Sequence, residues 1–314
     1  MAHDRRFRFG VQCTGDGLDA AGWRDLARRV EGLGYSTLYM PDHFDDTPLA
    51  PMVAISFAAA ATERLRVGHL VLGNDYKHPV VVAKEAATID LLSEGRLELG
   101  LGAGWMIADY EQLGIPYDPP GVRIDRLAEA CAVVKGCFAD GPFSFAGEHY
   151  TITDHDARPR PVQQPHPPLV IGGGGPRVLR LAGREADIVG VNPNLRAGAI
   201  TAAAALDTLA DVTRKKIDWV REGAGDRFDE IELQIRYFVA AITDDARGFA
   251  ELVGGGFGID ADDALASAVA LVGTVDSVCD ALVQRREEWG VSYVVLGEDT
   301  FEAFAPVVAR LAGT

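Results

Sequence analysis

Eight short apolar runs, rich in β-branched residues, alternate with helical patterns along the chain. This alternation constrains the fold most, because such runs predict strands and the segments between them predict helices. The predicted strands are residues 7–12, 36–41, 65–73, 95–102, 168–173, 186–191, 231–242 and 291–297. Eight strand–helix units in 314 residues suit a (β/α)8 TIM barrel of the α/β class. A doubly wound parallel sheet is the main alternative, although eight units are many for it.

No linker or internal repeat interrupts the pattern, so we expect one barrel domain over residues 1–314. Residues 143–152 predict a β-hairpin. Irregular stretches at residues 105–122, 140–167 and 191–200 are expected to be excursions at the carboxyl ends of the strands. That face of a barrel is where active sites lie.

The charge and hydropathy of the chain argue against several classes of partner. The formal net charge is −16, whereas nucleic acids and anionic membranes are bound by basic patches. The N-terminal MAHDRRFRFG lacks the apolar core of a signal peptide. The richest apolar run, PMVAISFAAAA, is too short to span a bilayer. We therefore expect a cytoplasmic protein whose partner is a small molecule.

The cysteines do not have the spacing of a metal site or a disulfide framework. None of them forms a C-x-x-C pair, and the sequence contains no H-E-x-x-H motif. The four residues are Cys13, Cys131, Cys137 and Cys279. We predict buried or idle thiols and no bound metal.

Four glycines, Gly172 to Gly175, separate the fifth predicted strand from a helical pattern that starts at Pro176. Bare backbone at such a turn is typical of a phosphate site, because N–H groups approach the anion closely and a helix start favours negative charge. The run fits neither common phosphate motif. A dinucleotide fingerprint needs glycine where Arg177 stands, and a P-loop needs Lys-Ser/Thr after the last glycine. A glycine-rich surface turn is the alternative.

The carboxyl ends of other predicted strands carry further candidates. Asp42 and His43 follow the second strand, where a histidine can exchange protons near neutral pH and an adjacent acid can orient it. A role in loop hydrogen bonding is the alternative for His43. Gly102 and Gly104 belong to a segment with glycine at every second position. These glycines would flatten one face of the strand end for a planar ligand, or allow close packing. Arg236 would bind substrate or form an inter-strand ion pair.

One long block resembles a known family. Residues 77–105, KHPVVVAKEAATIDLLSEGRLELGLGAGW, are similar to the central block of the bacterial luciferase-like monooxygenase superfamily. YMPDHF, FSFAGEHY, RPRPVQQPHPPLVIGGGG, ADIVGV and the closing GTVDSVCDALVQRREEWGVSYVVL follow the order of that family over essentially the whole chain. The chain resembles most the branch that uses the deazaflavin coenzyme F420. The resemblance implies a (β/α)8 barrel and a homodimer.

The resemblance also implies how the coenzyme would be held. In the family, the loop after the fifth strand and the following helix start bind the coenzyme phosphate. A non-prolyl cis peptide in the third strand backs the deazaflavin ring, and the loop after the fourth strand passes close to the coenzyme. The corresponding residues here are Leu70, Val71, Gly102, Ala103, Gly104, Gly173, Gly174, Gly175 and Pro176.

The same resemblance places Asp42 and His43 beside the ring, with His43 as the acid/base candidate. One position departs from the F420-dependent sugar-phosphate dehydrogenases of the family, which have a glutamate where this chain has Trp105. Because tryptophan cannot relay a proton in that way, we expect an apolar or aromatic substrate beside it. Gln12 and Arg236 are further candidates for substrate contact.

These features favour an oxidoreductase that transfers a hydride between coenzyme F420 and a small organic substrate. An FMN-dependent luciferase-like monooxygenase and a non-catalytic coenzyme-binding barrel are the two alternatives. Both coenzymes present a ring and a phosphate, so the sequence separates them poorly.

Overall fold

The chain, seen in a computed structural model that describes residues 5–44, 47–199 and 201–314, is built around a closed barrel of parallel strands. Neighbouring strands come from consecutive strand–helix units, and the last strand pairs with the first through Tyr293 and Arg8. The predicted (β/α)8 barrel is confirmed. The assignment of one domain to residues 1–314 stays a prediction, because residues 1–4 lie outside this description.

The elements have the following bounds. The strands are β1 (Arg8–Gln12), β2 (Thr37–Met40), β3 (Arg66–His69), β4 (Leu72–Gly73), β5 (Leu97–Gly102), β6 (Phe143–Ala146), β7 (Thr151–His155), β8 (Leu169–Gly173), β9 (Ile188–Val191), β10 (Glu232–Arg236), β11 (Val239–Ile242), β12 (Ala270–Gly273) and β13 (Val291–Gly297). The helices are α1 (Ala20–Gly32), α2 (Pro51–Ala61), α3 (Pro79–Leu92), α4 (Ile107–Leu113), α5 (Pro120–Phe138), α6 (Pro176–Glu185), α7 (Ala202–Leu206), α8 (Ala210–Ala224), α9 (Ala246–Phe257), α10 (Ala261–Ala266), α11 (Val275–Trp289) and α12 (Ala305–Leu311). The barrel comprises β1, β2, β3 with β4, β5, β8, β9, β10 and β13.

The barrel strands are buried on both faces, which explains their nearly continuous apolar sequences. Tyr39, Val170, Ile188 and Tyr293 come from four different strands and pack against one another in the barrel interior. The opposite faces of the strands pack against the surrounding helices in one large core.

A charged cluster fills the interior near the amino ends of the strands. The fully buried Glu98 of β5 accepts hydrogen bonds from Arg66 Nε at 2.7 Å and from the hydroxyl of Tyr293 at 3.0 Å. Arg8 and Tyr39 also donate to its carboxylate. Because this cluster occupies one end of the barrel interior, the other end, where the strands terminate, is the end available to a ligand.

Two predicted strands are interrupted in the structure. The third is broken between β3 and β4, with a cis peptide bond between Leu70 and Val71, at the position implied by the family resemblance. The predicted strand 231–242 consists of β10 in the barrel and β11 outside it. β11 pairs in parallel with β12, which sequence reasoning missed because residues 270–273 lie between helical patterns.

The sequence pattern predicts one helix over residues 202–222, but in the structure this helix is interrupted between α7 and α8. Asp207 lies in the break, where its carboxylate accepts from Lys216 Nζ at 2.5 Å and from the backbone N–H of Asn194 at 2.7 Å. These bonds tie the break to the loop after β9. The short helix α4 forms within the stretch 105–122, which was expected to be irregular.

The β6–β7 hairpin forms as predicted, but at a different place on the barrel. It follows α5 rather than a strand, and the ring of Phe143 covers Gly136 near the end of that helix. Further along, Gln163 Nε2 donates to the carbonyl of Leu97, at the start of β5, at 2.8 Å. The stretch 140–167 therefore begins and ends near strand amino ends, and the expectation that it follows the carboxyl end of a strand is wrong. In its middle, the ring of Tyr150 reaches His78, at the start of α3, with centroids 5.5 Å apart.

A buried histidine is expected to make the fold sensitive to acid. Neither ring nitrogen of His69 has a hydrogen-bond partner among the described residues. Burial lowers the pKa of His69 to about 3, and the charge of Lys77 acts in the same direction. The unfolded chain therefore binds a proton that the folded chain excludes, so stability should decrease as the pH falls from about 6.5 towards about 3.

We expect His69→Leu to reduce this loss, since leucine fills a similar volume without a titrating group. The measurement is the difference in free energy of unfolding by urea between pH 8 and pH 5, in the wild type and in the variant. Equal pH dependence in the two proteins would contradict the prediction.

Candidate active site

His43 lies just beyond the carboxyl end of β2 and contacts a carboxylate from another strand–helix unit. Its Nδ1 is 2.7 Å from Oδ2 of Asp109 on α4, and Oδ1 accepts the backbone N–H of Phe44 at 3.0 Å. The Tyr76 hydroxyl donates to Oδ2 at 3.1 Å. The Asp109 side chain is fully buried, whereas 20% of the His43 side chain is exposed. With Nδ1 held by the carboxylate, Nε2 is the nitrogen left for proton exchange.

Asp42 does not orient His43, contrary to the expectation from their adjacency. Its Oδ2 accepts the backbone N–H of Gly73 in β4 at 3.0 Å. Neighbouring residues in extended backbone project to opposite sides, which separates the two side chains. Burial raises the pKa of Asp42, while the hydrogen bond from Gly73 opposes that rise. Asp42 therefore ties the end of β2 to β4, and Asp109 has the orienting position.

Aromatic side chains surround the His43–Asp109 pair. Trp105, after β5, meets the imidazole edge to face, with ring centroids 5.4 Å apart. The rings of Phe44 and Tyr76 also meet each other edge to face, with centroids 5.3 Å apart. The imidazole thus borders a largely apolar wall.

A chain of hydrogen bonds crosses the barrel mouth from β10 to the break in the third strand. Arg236 Nε donates to Gln12 Oε1 at 3.0 Å, and Gln12 Nε2 donates to the carbonyl of Leu70 at 2.7 Å. Both ends of the Gln12 amide are therefore bound by protein groups. Arg236 also donates to the Tyr237 carbonyl, and no described carboxylate is within ion-pair distance. Burial lowers the pKa of Arg236 to about 10, with Asp299 acting in the opposite direction.

The loop after β5 is fixed by Arg123 on α5. The Nη1 atom of this arginine donates to the carbonyl of Ala103 at 3.2 Å and to that of Gly104. Gly104 has φ of +71°, and a Cβ atom there would lie 2.0 Å from a tyrosine hydroxyl of α4. A Cβ atom on Gly102 would lie 2.5 Å from Val71. Close packing within the protein therefore accounts for both glycines.

The glycine run after β8 divides into two parts. A Cβ atom on each of the first three glycines would meet protein atoms, at 2.9 Å (Asn192) for Gly172, 2.4 Å (Val178) for Gly173 and 2.4 Å (Pro193) for Gly174. At Gly175 the nearest such atom would be 3.8 Å away. This residue precedes α6, whose start has no side-chain cap. Gly175 and the first turn of α6, starting at Pro176, are therefore the part of the run with room for an anion.

The comparison with known families agrees with this arrangement. Residues 7–247 match the family described as luciferase-like monooxygenase. The chain belongs to this family. Its barrel, its break at Leu70–Val71 and its glycine turn are therefore features of a luciferase-like protein.

Curated relatives of this luciferase-like chain use two coenzymes. It is 34% identical over 143 residues to an FMNH2-dependent dimethylsulfone monooxygenase of Pseudomonas putida, covering 45% of this chain and 39% of that protein. It is 29% identical over 192 residues to an F420-dependent glucose-6-phosphate dehydrogenase of Kineococcus radiotolerans, covering 59% and 56%. The chain thus spans about half the length of these curated relatives.

Solved structures of the same fold include an F420-dependent reductase and a monooxygenase. The F420-dependent tetrahydromethanopterin reductase of Methanopyrus kandleri superposes with a TM-score of 0.78 at 20% identity, over 98% of this chain and 99% of that one. A long-chain alkane monooxygenase superposes with a TM-score of 0.77 at 16% identity, over 98% and 91%. At these identities the likeness establishes the barrel alone.

Sequence reasoning missed three residues that shape the site of this luciferase-like protein. Asp109 contacts the imidazole, and Tyr76 donates a hydrogen bond to the Asp109 carboxylate. Lys216 of α8 is 2% exposed, and its Nζ donates to the carbonyls of Asn192 at 2.9 Å and Asp207 at 2.7 Å. It therefore holds the loop after β9 against the glycine turn. The one available signal was a lysine on the apolar side of a helical pattern.

The four cysteines of this luciferase-like protein are free and buried. Within residues 5–44, 47–199 and 201–314, His, Cys, Asp and Glu side chains form no cluster of three or more suited to a metal ion. The helices of the same residues include none with the length and apolar character needed to cross a membrane.

Proposed function

We propose that this luciferase-like protein is an F420-dependent oxidoreductase that transfers a hydride between the deazaflavin and a small organic substrate, with His43 exchanging the accompanying proton. The contact of His43 Nδ1 with Asp109 at 2.7 Å carries the proposal. A carboxylate on Nδ1 fixes one tautomer, so that Nε2 can take or give a proton as charge changes on a substrate oxygen.

The residues of the barrel mouth fit a coenzyme that combines a phosphate with a flat ring. The coenzyme would supply hydride transfer, and the protein would bind and orient it. Gly175 and the first turn of α6 offer unused backbone N–H groups and the positive end of a helix to the phosphate. Leu70 and Val71 are half-buried at the break in the third strand, where Gln12 fixes the Leu70 carbonyl. They would back the ring.

The substrate is proposed to be apolar or aromatic near the reacting atoms. Trp105 borders His43 and takes the place of the glutamate of the sugar-phosphate dehydrogenases. Its ring excludes water from one side of the imidazole and favours apolar contact. Gln12, whose amide is bound at both ends, is assigned a positioning role, and Arg236 supports it.

An FMN-dependent monooxygenase is the second candidate, because the relative that is 34% identical uses FMNH2. Equilibrium binding of F420 and of FMN to the purified apoprotein distinguishes the two. Tighter binding of F420 is expected. FMN binding without detectable F420 binding would overturn the first candidate.

The glycine turn provides a sharper test of the phosphate site. We expect Gly175→Ala to fold normally, because the new Cβ would meet only Asn194 Nδ2, at an ordinary van der Waals distance of 3.8 Å. It should weaken coenzyme binding at least about tenfold by obstructing the anion. Thermal unfolding and coenzyme titration are the measurements. Gly174→Val is less suitable, because its side chain would strike the backbone of Pro193. Unchanged affinity in folded Gly175→Ala would show that the phosphate lies elsewhere.

A homodimer is proposed as well, on the basis of exposed apolar residues on two adjacent helices. Val53 and Phe57 are four residues apart on α2 and are 60% and 56% exposed, and Val81 of α3 is 47% exposed. A second copy of the chain would bury this face. We expect a dimer in sedimentation at micromolar concentration, and a shift towards monomer in Phe57→Glu. A wild-type monomer would contradict the proposal.

A further inference from the structure

One surface next to the phosphate site has a charge opposite to that of the protein as a whole. Arg177, Arg180 and Arg184 of α6 are spaced three and four residues apart, so their side chains share one side of the helix. With α5 they border a groove of about 250 Å³, whose other lining residues are Ile124, Asp125, Ala128 and Leu181. A cationic groove stands out on a chain of net charge −16.

The positive charge of the groove is only partly balanced by the protein. Arg177 Nη2 is 2.5 Å from Asp125, and Arg180 Nε is 2.7 Å from Glu222. No carboxylate of the described residues lies within ion-pair distance of Arg184, which donates only to the Arg180 carbonyl at 3.5 Å. The two ion pairs are about half exposed, and such pairs contribute little and exchange readily with other carboxylates.

The groove starts where the proposed phosphate site ends. Arg177 is two residues beyond Gly175, on the first turn of α6, and the three arginines extend from there along the helix. Arg184 is seven residues beyond Arg177, a distance of about 10 Å along the helix axis. A chain attached to the far side of a bound phosphodiester would therefore enter the groove beside Arg177.

We propose that this groove binds the anionic oligo-γ-glutamate tail of coenzyme F420, an inference that rests on the proposed function. The tail is joined to the ring through the phosphodiester, and the arginines of α6 begin two residues beyond the proposed phosphate site at Gly175. Its carboxylates would pair with Arg180 and Arg184, while Ile124 and Leu181 contact its methylene groups. FMN ends in a terminal phosphate and has no group to place there. The groove therefore favours F420 over FMN.

The test compares the affinity of the protein for F420 carrying several glutamates with its affinity for the tail-less analogue, by deazaflavin fluorescence titration. We expect the tailed form to bind about tenfold more tightly, which is the gain that two or three exposed ion pairs would give. The ratio of the two affinities should fall at high salt, because salt screens exposed charges. The double substitution Arg180→Gln and Arg184→Gln should bring the ratio close to one. Arg214→Gln, which removes an exposed arginine of α8 paired with Asp211 and Glu288, is the matched control and should keep the wild-type ratio.

The outcomes separate this inference from the proposed function. Equal affinity of the wild type for tailed and tail-less F420 would overturn the tail site while leaving the coenzyme assignment intact. A preference that survives in the double variant would also overturn it. Failure of both F420 forms to bind, with FMN bound, would overturn the coenzyme assignment and the tail site together.

Discussion

Replacing His43 by asparagine should lower turnover by at least about 10²-fold and leave coenzyme affinity nearly unchanged. A hydride that leaves or reaches a polar carbon changes the charge on the attached oxygen, and a positioned imidazole compensates by moving a proton. Asparagine occupies a similar space without a titrating group. The measurements are kcat with an accepted substrate and the Kd of F420.

The Asp109 carboxylate provides the matched variant. Asp109→Asn keeps the shape of the side chain but removes the charge 2.7 Å from His43 Nδ1, so turnover should fall and the pH dependence of kcat should shift. A variant of His43 with wild-type turnover would show that the residue is not the acid/base group. Lost F420 binding in His43→Asn would instead identify a packing role against the coenzyme.

Glu98→Gln should lower the free energy of unfolding by about 3 kcal/mol, the lower end of the range for breaking a buried ion pair. The carboxylate is fully buried between Arg8 and Arg66, whose side chains are 29% and 26% exposed. Arg8 would keep its contact with Glu232 at 2.6 Å, but Arg66 would lose its carboxylate partner. Urea unfolding at pH 7 measures the effect.

An exposed pair in the same protein provides the control. Glu302 lies 2.6 Å from Arg29, with both side chains about half exposed, so Glu302→Gln should cost less than about 1 kcal/mol. Similar losses in both variants would contradict a special role for the buried cluster.

The Glu98 effect should also depend on pH. Burial raises the pKa of Glu98, but Arg8 and Arg66 outweigh it and hold the pKa below 4.5. The wild type therefore has this stabilisation above pH 4.5 and loses it as the pH falls through the folded-state pKa. The difference in stability between Glu98→Gln and the wild type should narrow in acid.

Local patterns were enough to predict the barrel, because apolar strand runs and helical periodicity are properties of neighbouring residues. They also placed His43 and the glycine turn at strand ends. They could not identify Asp109, which is 66 residues from His43. It belongs to α4, a helix within the stretch 105–122 that was predicted to be irregular. A contact of that kind exists only once parallel strands bring their carboxyl ends to one face.

The glycine turn is a second feature that the sequence predicted only in part. The sequence suggested one reason for all four glycines, the approach of a phosphate. In the structure, Gly172 stands opposite Gly190 in the β8–β9 pairing, and Gly174 lies against the backbone of Pro193. Gly173 meets Val178 on the helix of its own unit, whereas the contacts of Gly172 and Gly174 appear only when two strands from different units pair.

The imidazole on the second strand–helix unit and its carboxylate on the fourth have a consequence for rebuilding this barrel. Loops of barrel enzymes are often treated as exchangeable modules, each carrying its own share of function. A graft of the loop after β2 alone would bring His43 into a new scaffold without Asp109, and the imidazole would have no fixed tautomer. Here the smallest transplantable unit of the proposed proton-transfer site is two loops from non-adjacent segments, exchanged together.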